Sequence, residues 1–143
     1  MKKLDPEVIT SALIDQATAA SVGSRPSPWL AGLRLEDFPG SSRDIQIVHA
    51  AHSINSSILS PAAYGDGFTT RKMVEQAHRL GMQVKPWTVN NLEVADDLVR
   101  WNVDGIITDY PNVVRRFVQQ QGLAVAPKYP KRRVLSCLEA HSH

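Results

Sequence analysis

Gln83–Asn112 reads Gln-Val-Lys-Pro-Trp-Thr-Val-Asn-Asn-Leu-Glu-Val-Ala-Asp-Asp-Leu-Val-Arg-Trp-Asn-Val-Asp-Gly-Ile-Ile-Thr-Asp-Tyr-Pro-Asn, and its punctuation decides the fold. Val84, Trp87, Thr88 and Val89 favour an extended strand. Asn90 is placed to cap the helix that follows, with Glu93 three residues on to complete a capping box. Leu92, Ala95, Leu98 and Val99 then recur at helical spacing. A second apolar strand is expected over Val103–Thr108. Asp109 or Tyr110 should cap a further helix, with Pro111 in its first turn, where no N–H is needed. Two short strands joined by one helix imply parallel pairing through a right-handed crossover. Pro86 withholds a ladder donor, so a local irregularity is expected there.

The same grammar extends outward. Upstream, Ile54–Ser60 reads as a strand stopped by Pro61, and Ala62–Phe68, with Tyr64, is a long loop for a βα connection. Thr69 or Thr70 should cap a helix carrying Met73, Val74, Ala77 and Leu80 and ended by Gly81. Ser41 or Ser42 should open a helix over Arg43–His52. Trp29–Leu35 is ambiguous between strand and helical turn. Ser21–Pro28 is a loop by composition. Asp5 and Pro6 read as the start of a helix bearing Val8, Ile9, Ala12, Leu13 and Ala17. Downstream, the last helix buries Val113, Val114, Phe117 and Val118 and stops at Gly122. The chain divides into an N-terminal region (1–40), a body of βα units (41–122) and a basic, proline-containing tail (123–143).

Trp87-Thr88-Val89-Asn90 followed by Val103-Asp104-Gly105-Ile106-Ile107-Thr108-Asp109-Tyr110-Pro111, with Ile58-Leu59-Ser60-Pro61 one unit upstream, resembles the C-terminal part of a glycerophosphodiester phosphodiesterase domain. The resemblance covers Asp44–Val118. It implies an α/β fold of consecutive βα units with parallel strands, the C-terminal part of a TIM-like (β/α)8 barrel. It also implies hydrolysis of glycerophosphodiesters to glycerol 3-phosphate and an alcohol. Such a barrel takes about 250 residues, so a chain of 143 holds its last three or four units. In the resembled family a tryptophan at this motif walls the glycerol pocket. Trp87 is therefore expected to bind substrate, with Ser60, Tyr64 and Asn90 on the loop side as further contacts. The competing reading makes Trp87 a core residue at the barrel mouth and Asn90 a helix cap.

The family's chemistry uses a His-Arg pair at the first strand's end, a second histidine as acid/base partner, and a divalent cation, Mg or Ca, held in part by a Glu-x-Asp pair. None of the five glutamates is followed by x-Asp. His78-Arg79 ends a helix before a strand, at the wrong end of any barrel. No catalytic residue, metal ligand or cofactor is therefore expected in this chain, the cation belonging to the missing half. His49 and His52 lack third and fourth ligands at any recognisable spacing. Asp109 reads first as a helix cap and Asp104 as a turn residue.

Composition narrows the classes further. Hydrophobic content of 43%, charged content of 21% and a net charge of +2 are ordinary for a globular domain and give no footprint for nucleic acid. One cysteine, Cys137, excludes an intrachain disulfide framework. No apolar run approaches the roughly 20 residues of a membrane span, and a cytoplasmic location is the expectation. The expected partner is a glycerophosphodiester, if an upstream half completes the barrel. Unpaired sheet edges predict self-association. Two other classes stay open: a non-catalytic remnant or adaptor of the same fold, and part of another phosphate-binding barrel.

Overall fold

A computed structural model describes residues 5–19, 32–63 and 68–127. In chain order the elements are β1 (Ser11–Ile14), α1 (Gln16–Ala19), a 3-10 turn (Leu35–Asp37), α2 (Arg43–Ser53), β2 (Ile58–Pro61), α3 (Arg71–Arg79), β3 (Gln83–Val84), α4 (Leu92–Arg100) and α5 (Pro111–Gln120). The strands form a three-stranded parallel sheet in the order β1-β2-β3. Ala12, Leu59 and Val84 are register partners across it.

The N-terminal helix expected from Asp5 does not form. Val8, Ile9 and Thr10 are β-branched and stiff in a helix, and Ser11–Ile14 instead pairs with Ile58–Pro61. The helix cap sits ten residues later. Asp15 accepts the Thr18 N–H at 2.7 Å while the Thr18 hydroxyl accepts the Asp15 N–H at 2.7 Å, a reciprocal box that opens α1. Of Trp29–Leu35, residues 29–31 lie outside the described residues, and Leu35 begins the 3-10 turn rather than a strand.

The expected strand Ile54–Ser60 is shorter and shifted, because α2 runs to Ser53 and Asn55 turns the chain with φ 56°. Thr70 caps α3, its hydroxyl accepting the Met73 N–H at 3.1 Å, and Gly81 ends the helix with φ 73°. α4 is capped by Asn91, whose side chain accepts the Glu93 N–H at 2.7 Å, one residue beyond the expected Asn90. Tyr110 holds the cap position of α5 without a side-chain bond, and Pro111 follows it; Asp109 caps nothing.

The strand expected over Val84–Val89 is regular only at Gln83–Val84. Pro86 has no N–H to give, and pairing resumes as a bridge between Ala62 and Trp87. Val103–Thr108 runs beside it as a broken fourth strand. Asp104 N–H bonds to the Val84 carbonyl and Ile107 N–H to the Pro86 carbonyl. Three steps on one side against two on the other make a bulge at Gly105–Ile106.

Helices cover one face of this sheet. Ile14, Leu59 and Val84 meet Ile47, Val48, Ala51, Met73, Val74 and Ala77 in the main core. A smaller cluster joins Val89, Ala95 and Leu98 to Ile106 and Phe117. Among the described residues no helix is long and apolar enough to cross a membrane.

Candidate functional site

The C-terminal ends of the strands gather Trp87, Asn90, Thr108 and Asp109 on one rim. Trp87 is fixed from three sides. Its N–H reaches the Pro61 carbonyl at 3.0 Å, its carbonyl accepts the Ala63 N–H at 2.6 Å, and its indole N–H donates to the Ser60 carbonyl at 2.6 Å. The ring is half-buried, on the sheet face opposite Val84 and Pro86, which are fully buried against the helices. Ser60 is 1% exposed and its hydroxyl donates to the Lys85 carbonyl at 2.6 Å. Ser60 thus holds the tryptophan strand rather than facing solvent. Tyr64 lies outside the described residues.

Freed from capping, Asn90 joins two connections. Its carboxamide oxygen accepts from the Thr108 hydroxyl at 3.2 Å and the Asp109 N–H at 3.1 Å, and its Nδ2 donates to the Asp109 carboxylate at 2.8 Å. The Thr108 hydroxyl in turn accepts the Tyr110 N–H at 3.0 Å. A cavity of about 310 Å³, lined by Ala63, Thr88, Val89, Asn90, Asn91 and Val94, opens beside this clamp. The rim therefore offers an aromatic wall and a group of neutral donors and acceptors with one exposed carboxylate. That suits hydroxyl-bearing ligands better than proton transfer.

The titratable chemistry lies elsewhere. His78 and Asp104 meet at 2.9 Å, and the same Asp104 carboxylate accepts the Val84 N–H at 2.7 Å. This places them at the strands' N-terminal end, opposite the rim, where they tie α3, β3 and the fourth strand together. Asp104 is thus more than a turn residue, a role that sequence spacing did not signal. Asp15, at the rim end of β1, has its carboxyl held below the ordinary range by the Thr18 backbone and hydroxyl bonds. Partial burial alone would raise Asp44, but bonds from the Ser42 and Thr70 hydroxyls and the Ile45 N–H outweigh it and lower its carboxyl. His49 contacts Gln76 at 3.3 Å, and His52 is exposed. Among the described residues no three His, Cys, Asp or Glu side chains converge. Of the rim carboxylates among the described residues, Asp15 is held by Thr18 and Asp109 by Asn90.

The model of the glycerophosphoryl diester phosphodiesterase family matches residues 13–113. A Mycobacterium tuberculosis (strain ATCC 25618 / H37Rv) protein designated probable glycerophosphodiester phosphodiesterase 2 is 30% identical over 122 residues, covering 85% of this chain and 39% of that protein. A Bacillus subtilis (strain 168) protein designated as a glycerophosphodiester phosphodiesterase, YhdW, is 41% identical over 44 residues, 31% of this chain and 18% of its own. A crystal structure from Silicibacter pomeroyi DSS-3 that carries the same family designation superposes with a TM-score of 0.64 at 26% identity, over 86% of this chain and 34% of that one. The parallel sheet and its helices are thus part of a TIM-barrel fold. The chain spans well under half the length of these proteins.

Proposed function

Because the chain belongs to the glycerophosphoryl diester phosphodiesterase family, we propose that it is the C-terminal part of a barrel that hydrolyses glycerophosphodiesters to glycerol 3-phosphate and an alcohol. The proposal adds that the chain does not perform the hydrolysis by itself. One observation carries this reading: the rim holds recognition groups, whereas the described imidazole–carboxylate pair, His78–Asp104, sits at the opposite end of the strands. Hydrolysis of a phosphodiester needs a proton donor for the leaving alkoxide and positive charge on the phosphate. At the rim, Trp87 gives the glycerol portion an apolar wall, and Asn90 presents its carboxamide beside it. Ser60 acts through Trp87 by holding the indole, and Tyr64, three residues after β2 in the sequence, is a further substrate contact. The same reading keeps the protein in the cytoplasm and leaves the divalent cation to the remainder of the barrel.

The test is an assay of the purified chain on glycerophosphocholine with Mg²⁺ or Ca²⁺, alone and mixed with the N-terminal portion of the Mycobacterium tuberculosis relative. No release of glycerol 3-phosphate is expected from the chain alone, and EDTA-sensitive release is expected from the mixture. Metal-dependent release by the chain alone would overturn the proposal, and silence in both would favour a non-catalytic role for the fold. In the active mixture, Trp87→Ala should lower kcat/KM by more than it lowers stability. A fall in melting temperature with unchanged kinetics would return Trp87 to the core.

A further inference from the structure

One cation lies on the open face of the sheet, one row below Trp87. Lys85 follows β3 and stays in the ladder: its N–H donates to the Leu59 carbonyl at 2.9 Å, and its carbonyl accepts the Ser60 hydroxyl at 2.6 Å. Val84 and Pro86 on either side are buried against the helices. Alternation therefore turns Lys85, half-buried like Trp87, to the face away from them. No other basic residue of the described chain belongs to the sheet. Arg34 precedes the 3-10 turn, and the rest lie on α2, α3, α4 and α5.

The neighbours of Lys85 across the sheet are small. Ser60 adjoins it on β2, since Leu59 is the register partner of Val84. On the fourth strand, a Cβ added at Gly105 would lie 3.3 Å from Lys85 Cγ, 3.5 Å from Cδ and 3.7 Å from Cε. The lysine stem thus runs over a position that carries no side chain. Bulky branched residues ordinarily fill the interior of such a barrel, whereas this row reads serine, lysine, glycine. Among the described residues no carboxylate pairs with the ammonium. Enclosed in a completed barrel, that charge needs an anion beside it, and the small flanks leave space for one.

We infer that Lys85 is a phosphate-holding residue, its ammonium contacting the phosphate of a glycerophosphodiester whose glycerol lies against Trp87. The inference rests on the phosphodiesterase reading and supplies positive charge of the kind that reading requires. Trp87 stands two residues on along the same face, about 7 Å away, and a flexible four-carbon stem covers most of that distance. A glycerol against the indole therefore sets its phosphate within the ammonium's reach. A carboxylate from the upstream part of the barrel is the competing counter-charge, but a packed ion pair does not call for small residues on both flanks.

Titration of the purified chain with glycerol 3-phosphate, followed through the lysine Cε signals of carbon-13-labelled protein, tests it. The Lys85 signal should shift to saturation with glycerol 3-phosphate and with inorganic phosphate, but not with glycerol. Lys85→Met keeps the stem over Gly105 and removes the charge. It should weaken phosphate binding at least about tenfold, and Lys85→Arg should restore most of it. An unshifted Lys85 signal, or equal binding by Lys85→Met, overturns the inference. In the mixture with the N-terminal portion of the Mycobacterium tuberculosis relative, Lys85→Met should lower kcat/KM by a similar factor. Weaker assembly of that mixture with unchanged kcat/KM would assign Lys85 to a carboxylate of the upstream part, and would equally overturn the inference. Phosphate binding at Lys85 in a mixture that hydrolyses nothing would leave this site standing and count against the phosphodiesterase reading instead.

Discussion

Leu13 and Ile14 are neighbours in β1, similar in size and apolarity, yet Leu13 is 56% exposed and Ile14 2%. The contrast repeats across the sheet. On the helix-covered face Leu59 and Val84 are fully buried, while on the open face Ile9 is 71% and Ile107 47% exposed. Strand geometry dictates the alternation, and the helices dictate which half of it finds a partner. The covered face is a finished core, and the open face carries the rim tryptophan together with apolar residues that only a completed barrel buries. On the proposed function, stability and substrate contact are thus divided between two sides of the same strands.

The largest effect should come from the covered face. Leu59→Ala, at the centre of the core, is expected to lower unfolding free energy by about 2–5 kcal/mol, read from urea denaturation. A loss under about 1 kcal/mol would mean that the helices do not close over β2 as described.

Asp44 tests how the cover is fastened, since it takes the Thr70 hydroxyl at 2.6 Å and so joins the starts of α2 and α3. Its folded pKa is depressed. Its contribution is therefore present above the unfolded carboxylate value of about 3.9 and lost as pH falls through the lower folded value. Asp44→Asn should cost on the order of 1 kcal/mol at neutral pH. The gap from wild type should narrow below about pH 4, as seen in melting curves across the acid range. A gap that does not change with pH would remove the charge from the explanation.

Trp87→Phe keeps an aromatic wall on the open face but removes the donor to the Ser60 carbonyl. About 1 kcal/mol of destabilisation is expected, with the Ser60 carbonyl environment changed in carbonyl-labelled NMR spectra. An unaltered Ser60 signal would show that the bond does not hold the ring.

The smallest effect belongs to Leu13→Ser. It should change stability by no more than about 0.5 kcal/mol. A loss as large as that of Leu59→Ala would erase the distinction between the faces.

Features governed by a few adjacent residues were legible before any coordinates. Thr70 and Gly81 delimit α3, Pro111 opens α5, and Pro86 breaks its strand, each through a bond made or withheld within four residues. Trp87 and the run from Val103 to Pro111 were enough to name the family. What failed was decided at a distance. Val8, Ile9, Ala12 and Leu13 fit a helical stripe, but the spacing cannot show that Ile58–Pro61 waits alongside to pair with Ser11–Ile14. Asn90 and Asn91 are interchangeable as caps on paper, and the choice fell to Asn91 as Asn90 clasps Thr108 and Asp109, eighteen and nineteen residues on.

By itself, then, the sequence determined the alternation of helices and strands from α2 onward, the Thr70 cap and Gly81 stop of α3, and the identity of the rim tryptophan. These follow from backbone donors, φ preferences and side-chain period, all local quantities. Only the tertiary structure decided that the N-terminal segment is an edge strand, that Ser60 holds Trp87, and that His78 and Asp104 meet away from the rim. Each of those rests on a hydrogen bond between residues far apart in the chain, and such a bond forms only after the sheet and its helices have brought the two groups within reach.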